Sequence, residues 1–278
     1  MSPARTLLMG VVNVTPDSFS DGGLFLNPND AAAHAIRLIE EGADILDLGG
    51  ESTRPATFSD NAPLDPDEEI RRVIPVLKLI RAANPHVTIS IDTYKSIVAA
   101  AALDEGADIV NDISGMSYDP AMGPLVAQRG CRVVLMHLPG RPRSILPTTH
   151  SADVVAEISV VLSAHIKTAK ACGVKDSQII LDPGIGFGKN TYQNLEVLRR
   201  LREFTQLGYP LLVAPSRKRF IGTVLGTSDP KDRVEGTAAA VALAVAGGAD
   251  IVRVHDVKQM AKVVKMGDAI VRGWVPEE

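Results

Sequence analysis

From Leu7 onward the chain alternates between two textures. Short aliphatic runs occur at Leu7–Val14, Asp44–Gly49, Val87–Asp92, Asp108–Ile113, Arg132–His137, Ile179–Asp182, Pro210–Ala214 and Asp250–His255, with longer helical patterns between them. The runs are rich in Val, Ile and Leu and mostly do not alternate with polar residues, which is how strands covered on both faces read. One string marks the passage from helix to strand three times: Glu41-Gly-Ala-Asp-Ile-Leu46, Glu105-Gly-Ala-Asp-Ile-Val110 and Gly247-Gly-Ala-Asp-Ile-Val252. Glycine suits the residue after a helix because that position often takes positive φ. Helix starts carry a matching signal. Asn27-Pro28, Asp65-Pro66, Asp119-Pro120 and Asp229-Pro230 each set a capping side chain before a proline, and Asp65-Pro-Asp-Glu68 has the form of a capping box. Eight strand-then-helix units predict an α/β fold, a (β/α)₈ TIM barrel forming a single domain over residues 1–278. A doubly wound open sheet is the alternative, because strand order is not written in a sequence.

Composition narrows this picture. The chain is 45% hydrophobic but only 4% aromatic, so its core must be aliphatic. A net charge of −4 gives no general attraction for nucleic acid or acidic membranes, so any anion must be held by local charge. No apolar stretch nears the roughly 20 residues that cross a bilayer, and Leu7–Val12 runs straight into a polar loop unlike a signal peptide. A cytoplasmic protein with no membrane partner is expected. Cys131 and Cys172 are too few for a disulfide framework or a zinc cluster.

In such barrels the active site lies at the C-terminal ends of the strands. Those ends carry Asn13, Asp47, Asp92, Asn111–Asp112, His137, Asp182, Ser216–Lys218 and Arg253–His255. Asp47 either touches substrate or orients a neighbouring loop. Asp112, adjacent to Asn111, points to the other side of its strand and reads as a cap. His34, His86, His150 and His165 fall in helices or loops and read as surface residues. Glu51-Ser-Thr-Arg-Pro55 follows two glycines, so amides, hydroxyls and a guanidinium can converge on a phosphate-like group. Asp182-Pro-Gly-Ile-Gly-Phe-Gly-Lys189 has three residues between Gly184 and Gly188 where a P-loop needs four, so its glycines are read as lying flat beside a planar ligand. Asp92, Asn111 and Asp182 suit the donors and acceptors of a flat heterocycle. Thr53, Arg54, Arg253, His255 and Asn13 suit an oxyanion or its metal. No catalytic triad, His-x-His or His-Glu-x-x-His pattern is present.

With these residues assembled, the chain closely resembles the dihydropteroate synthase family from about Leu7 to Trp274. The resemblance rests on Asn13-Val-Thr-Pro-Asp-Ser-Phe-Ser-Asp-Gly-Gly23, Asp47-Leu-Gly-Gly-Glu-Ser-Thr-Arg-Pro55, Ser90-Ile-Asp-Thr93, Asn111-Asp-Ile-Ser114, Leu181–Lys189, Ser216-Arg-Lys218 and Arg253-Val-His-Asp256. It implies a barrel that condenses 4-aminobenzoate with 6-hydroxymethyl-7,8-dihydropterin diphosphate, with Mg²⁺, in folate biosynthesis. Asp92, Asn111, Asp182 and Lys218 would hold the pterin. Asn13 would contact the Mg²⁺–diphosphate, and Thr53, Arg54, Arg253 and His255 would grip the diphosphate. Aminobenzoate would sit near Thr53, Pro55, Phe187, Lys218 and Arg219. Loops carrying Asp17, Phe19 and Asp21, and Ser52 to Pro55, would close over the site. Asp92, Asp182, Lys218 and Arg253 would carry the chemistry, and a homodimer and sulfonamide binding are further implications. Arg219 stands where many members have serine, and strand 5 runs into His137-Leu-Pro-Gly-Arg-Pro-Arg143 instead of the usual sequence. The rival readings are a methyltetrahydrofolate-type methyltransferase, a non-catalytic pterin-binding paralogue and an unrelated phosphate-handling barrel.

Overall fold

The computed structural model describes residues 5–15, 27–52, 63–142, 144–145 and 152–274. Eight parallel strands form one sheet: β1 (Leu7–Asn13), β2 (Ile45–Gly49), β3 (Thr88–Asp92), β4 (Ile109–Asp112), β5 (Arg132–Met136), β6 (Ile179–Asp182), β7 (Leu212–Val213) and β8 (Ile251–Val254). Their order is β6-β5-β4-β3-β2-β1-β8-β7. A further parallel bridge, Leu181 with Leu211, joins β6 to the residue before β7 and closes the ring, excluding the open sheet. Around it lie α1 (Pro28–Glu40), α2 (Pro66–Ala83), α3 (Ser96–Asp104), α4 (Met122–Arg129), α5 (Val154–Ala171), α6 (Thr191–Arg199), α7 (Arg219–Leu225), α8 (Val234–Ala246) and α9 (Val257–Arg272). A short antiparallel pair, Gly140–Arg141 with Ser144–Ile145, lies after β5 where the sequence reads as a plain loop.

The strands do alternate, but between two apolar layers. Met9, Ile45, Ile109, Val134, Ile180, Leu212 and Ile251 pack together inside the barrel. Their neighbours Leu8, Leu46, Val110, Val133, Leu181, Val213 and Val252 pack outward against the helices. Period two is hidden in the sequence because both layers are aliphatic. It becomes visible where Ser90, Asp47, Asp92, Asn111, Asp182 and Arg253 take the inward places.

The repeated Gly-Ala-Asp string has one structural meaning in all three copies. Gly42, Gly106 and Gly248 have φ of 108°, 94° and 96°, and each following alanine is buried. The aspartate then exchanges two hydrogen bonds with one residue of the preceding strand or the residue just before it. Asp44 Oδ2 accepts from Leu8 N–H (2.9 Å), Asp108 Oδ2 from Ile89 N–H (2.8 Å) and Asp250 Oδ2 from Leu211 N–H (2.9 Å). Each aspartate N–H donates back to the carbonyl of the same residue. These staples satisfy backbone donors at the N-terminal rim of the barrel, opposite the expected site.

Capping follows the expected residues with two changes, the first being that Glu68 does not complete a box with Asp65 but pairs with Arg71 and Arg72. Asn27 and Asp65 accept N–H groups at the starts of α1 and α2, and Asp229 does so for a 3₁₀ turn at Pro230–Arg233. Asp119 does not cap α4. Its carboxylate accepts from Ala121 N–H (2.9 Å) and from Ser96 N–H at the start of α3 (2.7 Å). No helix among the described residues is long and apolar enough to cross a membrane.

Candidate active site

β2, β3, β4, β6 and β8 bring their inward polar residues to one mouth. Asp47 is fully buried, and its Oδ2 accepts from both Arg253 Nε (2.6 Å) and Asn111 Nδ2 (3.0 Å). Arg253 Nη2 donates to Asp92 Oδ2 at 2.8 Å, so one guanidinium joins carboxylates from two strands. The second oxygens of Asp47 and Asp92, both buried, have no hydrogen-bond partner among the described residues. An unspent acceptor at Asp92 suits a ligand that brings its own N–H donors.

Asp182 Oδ1 accepts from Gly184 N–H (2.7 Å), which anchors the following loop. Lys218 lies against that loop. Its ammonium donates to the Ile185 carbonyl and sits 4.8 Å from the centroid of the Phe187 ring. A Cβ on Gly186 would fall 2.6 Å from Lys218 Cδ, and one on Gly184 would fall 2.1 Å from the His137 carbonyl. The glycines therefore make room for Lys218 and His137.

The electrostatics are those of a dry, crowded site. Burial pushes the Asp92 carboxyl up to about 7 against the pull of Arg253. It likewise raises Asp182 against Lys218, and it lowers Lys218 to about 8. The carboxylates of Asp182 and Asp92 and the guanidinium of Arg253 all act on the Lys218 charge, so Lys218 lies within electrostatic reach of the three. Asp47, Asp92 and Asp182 face Arg253 and Lys218, with Lys189 also acting on Asp182. Ionised carboxylates at Asp92 and Asp182 favour a cation forming beside them.

Other expected residues divide. Asn13 is half-buried at the end of β1, paired in register with Gly49. Ser52 is half-buried at the end of the described part of its loop. His255 is tied to Ser216, whose hydroxyl accepts the His255 N–H (3.1 Å) and lies 3.1 Å from ring Nδ1. Phe187 packs on the apolar group Tyr94, Ile113, Met136 and Leu138. Arg219 opens α7 with an exposed side chain next to Lys218 in the chain. Asp17, Phe19, Asp21, Thr53, Arg54 and Pro55 lie outside the described residues. Asp112 faces away, as expected, and caps the turn to Ser114 and Met116. His137 is not a mouth ligand. Its Nδ1 lies 2.9 Å from Lys189 Nζ beneath the loop, and burial lowers it to about 2. His165 is also no surface residue, since it packs on Gly115.

Two charged groupings are not apparent in the sequence. Lys95 Nζ bridges Glu51 and Glu69, 2.5 Å from each, and Glu51 also accepts from Tyr94 Oη and from Leu64 N–H. Arg217 pairs with Asp256. Each joins segments far apart in the chain, so no local spacing announces it.

Residues 9–255 match the family described as pterin binding enzymes, which fixes the class of this barrel. A dihydropteroate synthase of a Synechocystis strain is 47% identical over 96% of this chain and 91% of its own length. The Clostridium difficile dihydropteroate synthase, solved in the presence of pteroic acid, is 47% identical with a TM-score of 0.88, covering 96% of this chain and 97% of that one. The Xanthomonas albilineans enzyme, solved with 4-aminobenzoic acid, is 42% identical with a TM-score of 0.88, covering 98% and 94%. The chain belongs to the dihydropteroate synthase family, whose members are transferases of folate biosynthesis.

Proposed function

We propose that this mouth joins 4-aminobenzoate to 6-hydroxymethyl-7,8-dihydropterin diphosphate as follows. Asp92, Asn111, Asp182 and Lys218 read the flat ring, while Arg253 and His255 hold the diphosphate with Thr53 and Arg54. The C–O bond to diphosphate breaks, the amine nitrogen forms a C–N bond to the methylene carbon, and the amine proton passes to solvent. An arylamine is neutral at pH 7 with its lone pair available, so no strong general base is required. The demanding step is loss of a multiply charged group. Arg253 meets the charge on the departing oxygens, and the carboxylates of Asp92 and Asp182 stabilise the positive methylene left behind. Arg219, exposed at the entrance, pairs with the aminobenzoate carboxylate, and Phe187 covers its ring.

Among the described residues no group of three His, Cys, Asp or Glu side chains is placed to hold a metal. Mg²⁺ keeps several waters and takes one or two protein oxygens beside phosphates, so an ion carried by the substrate needs little more than one oxygen from the chain. Asn13 would supply one such oxygen, and the ion would neutralise charge on the leaving diphosphate.

The reading rests above all on Arg253, held between Asp47 and Asp92 beside the ring readers. Its test is diphosphate release on mixing both substrates with Mg²⁺. The wild type should turn over, and Arg253→Ala and Lys218→Ala should each lose on the order of 10²–10³ in kcat. Pterin binding without diphosphate release would mark a non-catalytic binder.

We also infer a homodimer. One face of α8 (Thr237, Ala240, Val241, Ala244 and Val245) is buried inside the chain, with Val245 lying 3.2 Å from a Cβ built on Gly267 of α9. The outer faces of α8 and α9 nevertheless leave Leu243, Met266 and Ile270 exposed, the surface a second copy would cover.

A further inference from the structure

Arg217 and Met116 are the non-glycine residues with positive φ among the described residues, at 56° and 65°. Side chains with a Cβ disfavour this conformation, and Arg217 is held in it from several directions. Its N–H donates to Thr237 Oγ1 (3.0 Å) and its carbonyl accepts from Arg233 Nη1 (2.9 Å). Its own guanidinium pairs with Asp256, with Nε 2.9 Å from Oδ2. Arg233 reaches the carbonyl by crossing α7 at Gly222, where a Cβ would lie 2.6 Å from Arg233 Nε. The residues on either side of Arg217 are Ser216, joined to His255, and Lys218, which enters the mouth. Two cross-links, Ser216–His255 and Arg217–Asp256, thus join the segments that follow β7 and β8.

We infer that the Arg217–Asp256 pair is a positioning device for the transfer reaction. It holds Lys218, which meets the ring, in fixed relation to Arg253 and His255, which meet the diphosphate; this rests on the function proposed above. The side chains of the pair are only 14% and 9% exposed. Desolvation cancels much of the attraction of so buried a pair, so net stability is a weak reason for it. A fixed span between two half-sites is a stronger one, because it makes gripping the second end of a substrate intramolecular.

The test uses the full chain with Asp256→Asn, Arg217→Gly and the double variant. Glycine takes the positive φ without strain, so this variant removes the side chain and its ion pair without forcing the backbone. Calorimetry gives Kd for the pterin diphosphate without amine, for the ring alcohol lacking diphosphate, and for inorganic diphosphate, each with Mg²⁺. Each single variant should lose on the order of tenfold to a hundredfold in affinity for the linked substrate and in kcat/KM. The double variant should lose no more, and each fragment should bind within about twofold of wild type. Asp256→Glu, which keeps the charge, should recover most of the loss, and it carries the test with Arg217→Gly if Asp256→Asn does not fold. Wild-type affinity for the linked substrate in both single variants would overturn the inference. So would equal losses for fragments and linked substrate, since the pair would then be only a structural brace. A wild type that binds the linked substrate without turnover would sink the transfer reading, yet the linked-against-fragment comparison would still decide the role of the pair.

Discussion

Asp47 touches no solvent, yet one of its oxygens serves both Arg253 and Asn111. Replacing it with Asn keeps the shape but removes the charge that faces the guanidinium. Asp47→Asn should therefore cost about 2–4 kcal/mol in kcat/KM for the pterin diphosphate, read from steady-state kinetics. An unchanged value would show that Arg253 is oriented by Asp92 alone. The pH dependence follows from two neighbours. Burial pushes the Asp92 carboxyl up to about 7, so its ionised form, which the proposed function needs to accept ring donors, prevails above that pH. Lys218 titrates at about 8, so its ammonium prevails below that pH. Both forms coexist only in between, so kcat/KM should rise towards pH 7 and fall beyond pH 8. Lys218→Arg should abolish the alkaline limb, because a guanidinium keeps its proton throughout that range; a limb that persists belongs to another group. Asp92, Asn111 and Asp182 could be singled out in the sequence because each stands at the end of an apolar run, and the structure brings them to one mouth. The use of Asp47 could not, since its partners lie 64 and 206 positions away.

At the scale of elements, the Gly-Ala-Asp copies were legible as helix-to-strand junctions from glycine chemistry and the apolar run that follows. Their second role was not, because each aspartate bonds to the strand before it. That role predicts stability without function. Asp250→Ala leaves the Leu211 N–H, at the start of β7, without its acceptor in a buried place. The cost should be about 1–3 kcal/mol in urea unfolding, with kcat and KM of the folded fraction unchanged. The staple lies at the N-terminal rim, so a large kinetic effect would mean that the ring transmits strain to the mouth. Asp119 shows how a local signal can mislead. Asp-Pro read as the start of α4, but the carboxylate goes to Ser96 on the neighbouring helix, a partner that only tertiary packing supplies. His137 was misjudged for a similar reason. The strand runs on past the inward place of Met136, and the next side chain turns outward under the glycine loop, where Lys189 meets it.

For the molecule as a whole, the period-two pattern decides what faces the barrel interior, and the helices decide what is left for solvent. α9 buries Val257, Met260, Val264 and Gly267 against the barrel and α8, which accounts for one face of the helix. Met266 and Ile270, four residues apart, stand on the outer side with 62% and 72% of their surface exposed, and Leu243 of the adjoining helix α8 is 61% exposed. Side chains of this size at helical spacing on two adjoining helices form an apolar stripe that water solvates poorly, and a two-fold contact of α8 and α9 with their copies would bury it. Light scattering behind gel filtration should therefore give twice the chain mass at micromolar concentration. Leu243→Glu with Ile270→Glu should give the single mass, because burying two unpaired carboxylates per chain costs several kcal/mol. The barrel mouth lies at the ends of the strands and not on this flank, so the separated chains should still bind the pterin ring. Loss of ring binding together with the dimer would instead mean that the partner helps to hold the β7 and β8 segments in place.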